Sequence, residues 1–412
     1  MCVRLIVLSL AIALTTLSAS AQDALTLDAA VQLARAQHPA LQAAREDVTA
    51  AIANLRGARM PRNPEIIVTP GVLGPAGSDE FLSIAQSLEL NGARAARARA
   101  AGGQVQAATA DQQVTEREVL LAVRTAYWDL LQAQAISAAD AENVGHAEAL
   151  LDAAKKQVEL GNEPTAHAMK VEVELARARQ QLARSRADAA QAAAALNTAM
   201  GRDPSTPLTL AETLTVPSLA FDDAALYRLA ETSRPEIARE QAYHAVIRAD
   251  IEAARAARRP DVTVQVRQEE WAGDGGVGVG ISLPLVDWGS AKAERRRAEA
   301  AARAQEKRVD SARIAIRQDV AAALIAVRDA EGQLRTLREQ VLRPAEQLAA
   351  MARLGYEEGA LTYLEVLEAR RTVRAVQVEY LATLGAYHKA LARLTWAVGA
   401  EALPVPEKEV PR

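Results

Sequence analysis

An internal repeat at a spacing of nearly half the 412 residues constrains this chain more than any other feature. Segments of the first half recur about 196 residues later, and the register drifts by only a residue or two along the chain. The matched positions are Pro39 with Pro235, Asn-Pro-Glu-Ile-Ile-Val at 63–68 with Arg-Pro-Asp-Val-Thr-Val at 259–264, Ser-Leu-Glu-Leu at 87–90 with Ser-Leu-Pro-Leu at 282–285, Gly92 with Gly289, and Gly161 with Gly359. Two similar units must therefore make up the fold.

Each half predicts the same order of elements: a short helix, a second helix, a β-hairpin, a very long helix and a last helix. The hairpins are expected at about 64–90 and 261–286, and the long helix pairs at about 92–200 and 290–398. The predicted divisions are a first repeat at 22–205, an extended linker at 206–220, a second repeat at 221–399 and a disordered tail at 400–412.

The segments between the helices alternate in polarity with a period of two. Val262, Val264 and Val266 alternate with polar residues, and Trp271 and Trp288 stand near the two ends of this hairpin. Each strand is expected to be about nine or ten residues long, enough to cross a bilayer when tilted. Because barrels have at least about eight strands, a membrane role requires several copies, and three would supply twelve. The alternative is an amphipathic hairpin packed on helices in a soluble α+β protein.

The long helices are predicted to form coiled coils. Apolar residues of the second half keep a 3-4 spacing at Val320, Ala323, Val327, Ala330, Leu334, Leu337 and Val341. In the first half the matching stripe begins at Val123 and becomes polar at Ser137 and Asp140. A helix of about 65 residues would be about 100 Å long, a reach suited to a conduit rather than to a compact domain.

The N-terminus is typical of a secretion signal. Arg4 precedes an apolar run at 5–17, and Ala19-Ser20-Ala21 fits signal peptidase, so we expect residues 1–21 to be removed. An uncleaved anchor is the alternative. Cys2 is the only cysteine, so the mature chain is expected to have no disulfide and no thiolate chemistry.

The composition and the motifs favour neither an enzyme nor a nucleic-acid-binding protein. The net charge is −4 and the basic residues are dispersed among acidic ones, which argues against nucleic acid as a partner. No Walker loop, HExxH or G-x-S-x-G motif occurs, so no catalytic residue and no cofactor are predicted. The five histidines are scattered without metal-ligand spacing, so no metal site is predicted.

The order of elements, repeated after a signal sequence, resembles the TolC-like outer-membrane efflux proteins. The resemblance covers about 25–399, and its most specific stretch is Tyr-Glu-Glu-Gly-Ala-Leu-Thr-Tyr-Leu-Glu-Val-Leu-Glu-Ala-Arg at 356–370. It implies a mainly α fold with a small β part, in which three chains form a helical barrel and a twelve-stranded β-barrel in the outer membrane of a Gram-negative bacterium. It also implies outer-membrane lipid, a periplasmic adaptor and an inner-membrane pump as partners.

The resemblance also implies roles for residues at the periplasmic tip. Gly161 and Gly359 match turn glycines that approach the adaptor, and Tyr356 matches a tyrosine of the closing contacts. Glu365 and Glu368 match acidic positions that ring the narrow end of the pore. The alternative is that Glu365 and Glu368 are two solvated glutamates on a helix face.

Two departures from the family pattern lie in the same region. Leu361 stands where well-known members have an arginine of the closing contacts, so the means of closure is in doubt. In the first repeat, His167 and Lys170 occupy the positions that correspond to Glu365 and Glu368.

The residues alone do not determine which substance the channel would export. The stretch at 86–97 is similar to outer-membrane subunits of cobalt–zinc–cadmium efflux systems, which favours heavy-metal cations. Three other interpretations compete: an exit duct for type I protein secretion, a periplasmic coiled-coil adaptor, and a structural coiled-coil protein. The two helical hairpins and the paired strands favour a channel over the last two.

Overall fold

Helices dominate the computed structural model of the chain, which describes residues 24–68, 80–161, 164–216, 221–256, 258–269, 275–282, 288–358 and 360–402. The predicted signal sequence, Trp271, Gly359 and most of the predicted tail lie outside these ranges. The order helix, helix, two strands, long helix, helix occurs twice. The predicted fold class, mainly α with a small β part and an internal duplication, is confirmed.

Four helices and two strands lie in the described part of the first repeat. Their bounds are α1 (Leu27–Gln37), α2 (Pro39–Arg59), β1 (Glu65–Val68), β2 (Glu80–Ser87), α3 (Ala93–Glu159) and α4 (Thr165–Ala199). Helix α3 has 67 residues, which at about 1.5 Å per residue gives a length of about 100 Å.

The second repeat contains the same elements with one interruption. Their bounds are α5 (Asp223–Ser233), α6 (Pro235–Ala256), β3 (Asp261–Glu269), β4 (Gly275–Ser282), α7 (Ser290–Thr336), a π-helical segment (Leu337–Leu342), α8 (Arg343–Glu357) and α9 (Tyr363–Val398). Three of these, α7, the π segment and α8, together occupy the place of the single helix α3.

Local chemistry explains where several helices begin. Helix α2 begins at Pro39 and helix α6 at Pro235. Proline is favoured at the first position of a helix, because the N–H groups of the first turn have no partner within the helix and proline lacks this group. Gly92 and Gly289 precede the two long helices with φ angles of 88° and 89°, which glycine adopts without strain. These equivalent signals place equivalent elements in both repeats.

The four strands form one antiparallel sheet in the order β1-β2-β3-β4. Aligned apolar residues cross the sheet in register: Ile66 pairs with Ile84, Ile84 with Val266, and Val266 with Val277. All four are exposed, by 68, 43, 50 and 76% respectively. The neighbouring row on the opposite face, Ala85, Gln265 and Gly278, is small or polar. The predicted alternation is therefore present across β2, β3 and β4. The predicted strand length is wrong for β1, which has four residues, all exposed, and β2 and β4 have eight rather than nine or ten.

The coiled-coil stripe of the second repeat is buried down to Leu334. Val320, Val327 and Leu334 are at most 3% exposed. Leu337 and Val341 are only half-buried, since they lie in the π-helical segment, and full burial resumes at Ala345 in α8. A π segment has more residues per turn than an α-helix, so the heptad spacing no longer brings these positions to the buried face.

A charged network joins the two repeats at mid-length of the long helices. Arg234, only 5% exposed, donates to both carboxylate oxygens of Glu236 at 2.7 and 2.9 Å and to Asp319 at 3.3 Å. Its guanidinium lies 4.4 Å from the ring centroid of Trp396. Arg117 of α3 reaches Glu236 at 3.2 Å, so this cluster ties the first repeat to the second.

The ends of the two repeats close in an equivalent way. Gly201 and Gly399 follow α4 and α9 with φ angles of 75° and 80°. An added Cβ would lie 2.9 Å from the Cα of His38 at the first position and 3.1 Å from the Cβ of Ser233 at the second. The segments that follow these glycines contact the start of the chain: Leu210 of the linker pairs with Leu25, and Glu401 of the tail contacts Arg35 at 2.5 Å.

No described helix is both long enough and apolar enough to cross a bilayer.

Candidate functional site

The two helical hairpins end side by side, and their contact region contains the predicted site residues. Tyr363 of α9 is buried among apolar residues of α3 and α4, including Leu151, Val171 and Leu175. Tyr356 of α8 packs against this cluster and also against the cluster that joins α8 to α9. The aromatic ring of Tyr356 therefore touches both repeats close to the turn.

Gly161 forms the turn of the first hairpin. Its φ of 75° lies in the left-handed region, and its N–H group donates to the carbonyl oxygen of Val158 at 3.0 Å. An added Cβ would meet no atom within 4 Å, so the backbone conformation rather than crowding favours glycine here. Gly359 lies outside the described residues.

The second hairpin closes around Leu361. The N–H groups of Ala360 and Leu361 donate to the carbonyl oxygen of Gly355 at 2.8 and 3.0 Å. The side chain of Leu361 lies so close to Gly355 that an added Cβ would come within 2.8 Å of it. The departure noted in the sequence thus has a local role: Leu361 packs on its own turn and brings no cation to it.

Glu365 is exposed and caps its own helix. Its carboxylate accepts hydrogen bonds from the backbone N–H and the hydroxyl of Thr362, in the arrangement of a capping box. These bonds favour the ionised form and hold the pKa of Glu365 below its ordinary value. The pattern Thr-x-x-Glu at 362–365 is a sequence signal that would have predicted this cap.

Glu368 lies on the same exposed face of α9. No Lys, Arg or His nitrogen of the described chain lies within 4.0 Å of its carboxylate. Its backbone carbonyl accepts a hydrogen bond from the Thr372 hydroxyl at 2.9 Å. The structure therefore brings Glu365 and Glu368 to one open face, while Tyr356 lies on the packed side of the hairpin.

A groove of about 670 Å³ separates the two tips. His167 and Lys170 of the first repeat line one wall, and Glu357 and Glu358 of the second repeat line the other. The ring centroids of His167 and Tyr363 are 6.0 Å apart across it. In the described part of the chain, no group of three or more His, Cys, Asp or Glu side chains is placed to hold a metal ion.

A duplicated pair of long helical hairpins with a four-stranded amphipathic sheet at the opposite end defines a class of outer-membrane duct. The family model described as "Outer membrane efflux protein" matches residues 30–202 and again 226–400, one match in each repeat. The chain belongs to this family. It is an outer-membrane channel protein that extends into the periplasm.

Individual relatives agree with this assignment. The cobalt-zinc-cadmium resistance protein CzcC of Cupriavidus metallidurans is 27% identical over 388 residues, covering 91% of this chain and 90% of that protein. The fold is similar to crystal structures of CusC, with a TM-score of 0.76 and 21% identity, over 92% of this chain and 93% of that one. It is also similar to VceC of Vibrio cholerae, with a TM-score of 0.74 and 18% identity, over 91% and 96%. These relatives are channel or resistance proteins rather than enzymes.

Proposed function

We propose that three copies of this chain form one continuous duct, with a twelve-stranded β-barrel in the outer membrane and a helical barrel below it. The exposed apolar row across the sheet carries this proposal. Ile66, Ile84, Val266 and Val277 would face lipid, which suits apolar side chains better than water does. In the described sheet β1 and β4 are the outer strands, so each has an edge that a neighbouring chain could pair with.

The duct would serve as the exit of a three-part efflux system. A periplasmic adaptor would contact the tips at Gly161 and Gly359, and an inner-membrane pump would deliver the cargo. The groove between the tips, lined by Lys170 on one side and Glu357 on the other, offers charged contacts for such a partner. Tyr356, Glu365 and Glu368 would form the narrow end of the pore.

Heavy-metal cations are the proposed cargo. The resistance named for CzcC supports this choice, and the two carboxylates on the open face of α9 support it physically. Tripled by symmetry, Glu365 and Glu368 would place six carboxylates around one opening, which attracts cations without chelating them. Export of proteins is the second candidate, since the same fold could serve it.

The assembly is tested by purifying the full chain in detergent and reconstituting it in planar bilayers. A trimer that conducts ions is expected. A monomer that does not associate with membranes would refute the duct. Replacing Glu365 and Glu368 together by Gln should lower the preference for cations over anions. Unchanged ion selectivity would show that Glu365 and Glu368 are ordinary solvated side chains rather than parts of the pore constriction.

The cargo is tested in a Gram-negative host that carries this chain together with a candidate pump and adaptor from the same source organism. Deleting only this chain should increase sensitivity to cobalt, zinc or cadmium ions. Loss of a secreted protein with unchanged metal sensitivity would favour protein export instead.

A further inference from the structure

Basic residues are concentrated where the strands of the sheet meet the helices. The four junctions, α2 to β1, β2 to α3, α6 to β3 and β4 to α7, all lie at one end of the sheet, because its neighbouring strands are antiparallel. We call the exposed basic residues within two helical turns of these junctions the junction belt. The belt includes Arg56, Arg59, Arg94, Arg258, Lys292 and Arg296.

The junction belt lacks carboxylate partners within the described chain. No carboxylate of the described residues lies within 4.0 Å of the charged nitrogens of these side chains. On α7, Glu294 and Glu299 are each paired with an arginine of the same helix. Glu89, beside the start of α3, is paired with Arg97 at 2.7 Å. The positive charge of the belt is therefore left to be balanced by anions from outside the chain.

Two pairs of basic residues lie at opposite edges of the sheet. Arg56 and Arg59 are three residues apart at the end of α2, and Lys292 and Arg296 are four apart at the start of α7, so each pair shares a helix face. Helix α2 leads to β1 and α7 follows β4. When β4 of one copy pairs with β1 of the next, the two basic pairs come to adjacent helices. Like charges repel, so such a seam favours anions between the copies.

Exposed apolar side chains lie beside the junction belt. Trp288, just before α7, is 95% exposed, and its φ of 47° is uncommon for a residue other than glycine. Met60 and Leu90, at the junctions of the first repeat, are 59 and 70% exposed. An exposed tryptophan close to lysine and arginine is typical of a protein surface at the headgroup level of a bilayer. The belt thus lies where the apolar face of the sheet ends.

We propose that the junction belt binds the phosphate groups of anionic phospholipids in the periplasmic leaflet of the outer membrane. The main site is the seam at which α7 of one copy adjoins α2 of the next. This rests on the proposed function, since the seam exists only in the assembled duct. Because the helices extend into the periplasm, the junctions lie at that leaflet. Lysine and arginine side chains reach the headgroups while their stems cover apolar surface. The lipid would link neighbouring copies without direct contact between their charges.

The test measures lipid binding to the full chain purified in a neutral detergent. Fluorescent phosphatidylglycerol, which is anionic, is titrated in parallel with phosphatidylcholine, which has no net charge. The parent is expected to prefer phosphatidylglycerol, and high salt should weaken that preference by screening. In K292Q/R296Q the affinity for phosphatidylglycerol should fall by about 10- to 30-fold, because each basic residue near an anionic lipid surface contributes about a fivefold factor. The affinity for phosphatidylcholine should stay the same.

Two controls separate charge at the junction from charge in general. K292R/R296K keeps both cations and should bind phosphatidylglycerol like the parent. R335Q/R338Q removes two exposed cations about 60 Å farther along the same helical stretch and should also bind like the parent. An equal loss of affinity in R335Q/R338Q would overturn the inference, and so would equal affinity of the parent for the two lipids.

The oligomeric state distinguishes this inference from the proposed function. Loss of the trimer in K292Q/R296Q without any added lipid would show that the junction belt contacts protein of the neighbouring copy, which would also overturn the inference. A parent that forms no trimer in detergent would refute the proposed function itself. A stable trimer that shows no preference for phosphatidylglycerol would refute only the lipid site.

Discussion

Oε2 of Glu365 accepts two hydrogen bonds from Thr362, one from the backbone N–H at 2.7 Å and one from the hydroxyl at 2.8 Å. A residue proposed to attract cations is thus also the cap of its own helix. The two roles are compatible, because both require the carboxylate to be ionised. Because Thr362 donates both hydrogen bonds, we expect the ion selectivity of the duct to depend on this threonine as well as on Glu365.

The cation preference of the duct is expected to survive mild acid. The bonds from Thr362 lower the pKa of Glu365, so its charge is lost at a lower pH than that of an ordinary glutamate. T362A removes one donor and should shift the loss of selectivity to higher pH. The measurement is the reversal potential in a potassium chloride gradient as the pH is lowered. T372A is the control, since its hydroxyl contacts only the backbone of Glu368. Identical profiles for parent and T362A would contradict this.

Replacing Arg234 by Ala should destabilise the protein by about 3–5 kcal/mol, because it leaves Glu236 and Asp319 without their buried partner. Urea unfolding of the detergent-solubilised protein measures this. E231Q is the control, because the exposed pair with Arg317 should contribute about 1 kcal/mol or less. A loss no larger than that of E231Q would show that the network is dispensable.

The same network should make stability depend on acid. Burial acts to raise the pKa of Glu236, but hydrogen bonds and charge from Arg234 outweigh it and lower the pKa. Stabilisation is therefore complete above the unfolded-state pKa and is lost as the pH falls through the lower folded-state value. E236Q should be less stable at neutral pH and should flatten the decline of the urea midpoint in acid. If the urea midpoint of E236Q declined in acid as steeply as that of the parent, groups other than Glu236 would be responsible for the acid sensitivity.

Alanine at Gly201 should destabilise the first repeat by more than alanine at Gly289, although both glycines have positive φ. Left-handed backbone costs a non-glycine residue about 1–2 kcal/mol. Of the two glycines, only Gly201 would also bring an added Cβ within 2.9 Å of His38.

Gly57 is a control for which alanine is expected to be stabilising. It lies within α2 with open space around it, so G57A should stabilise by about 0.5–1 kcal/mol. Thermal unfolding midpoints give the ranking, and equal values for G201A and G289A would contradict it.

A charge on the apolar face of the sheet should impair membrane insertion. V279R is expected to cost about 2–4 kcal/mol in folding into lipid vesicles, the range found for arginine near the middle of a bilayer. Q265R places the same side chain on the opposite, polar face of the neighbouring strand and should fold almost normally. Equal impairment of the two variants would argue that this face does not meet lipid.

The sequence allowed the repeated order of elements to be predicted, because glycine and proline signals recur in both halves. It also predicted the buried stripe at Val320, Val327 and Leu334, since heptad spacing is a local property. The polar residue Asp140, by contrast, was expected to end the stripe of the first repeat. In the structure Asp140 is buried and accepts a hydrogen bond from Nε of Arg374, in α9 of the other repeat, at 2.8 Å. Periodicity within one helix carries no information about such a contact.

The candidate site was predictable only in part. The shared face of Glu365 and Glu368 follows from their spacing. The cap at Thr362 could have been predicted from the Thr-x-x-Glu pattern. The packing of Leu361 on Gly355 depends on how the turn closes, which no local pattern reports. The proposed pore and adaptor roles of Tyr356, Gly161 and Gly359 stay predictions.

The π-helical segment at Leu337–Leu342 has a consequence for the relative lengths of the two repeats. The distance along the chain from the glycine before the long helix to the glycine at the turn is one residue greater in the second repeat, Gly289 to Gly359, than in the first, Gly92 to Gly161. A single inserted residue in a continuous helix would rotate everything beyond it by about 100°. A π turn absorbs one residue locally, so both hairpins still end level. The two repeats therefore tolerate a difference in length within their long helices, and the residues beyond the π segment keep the direction that the equivalent residues of α3 have.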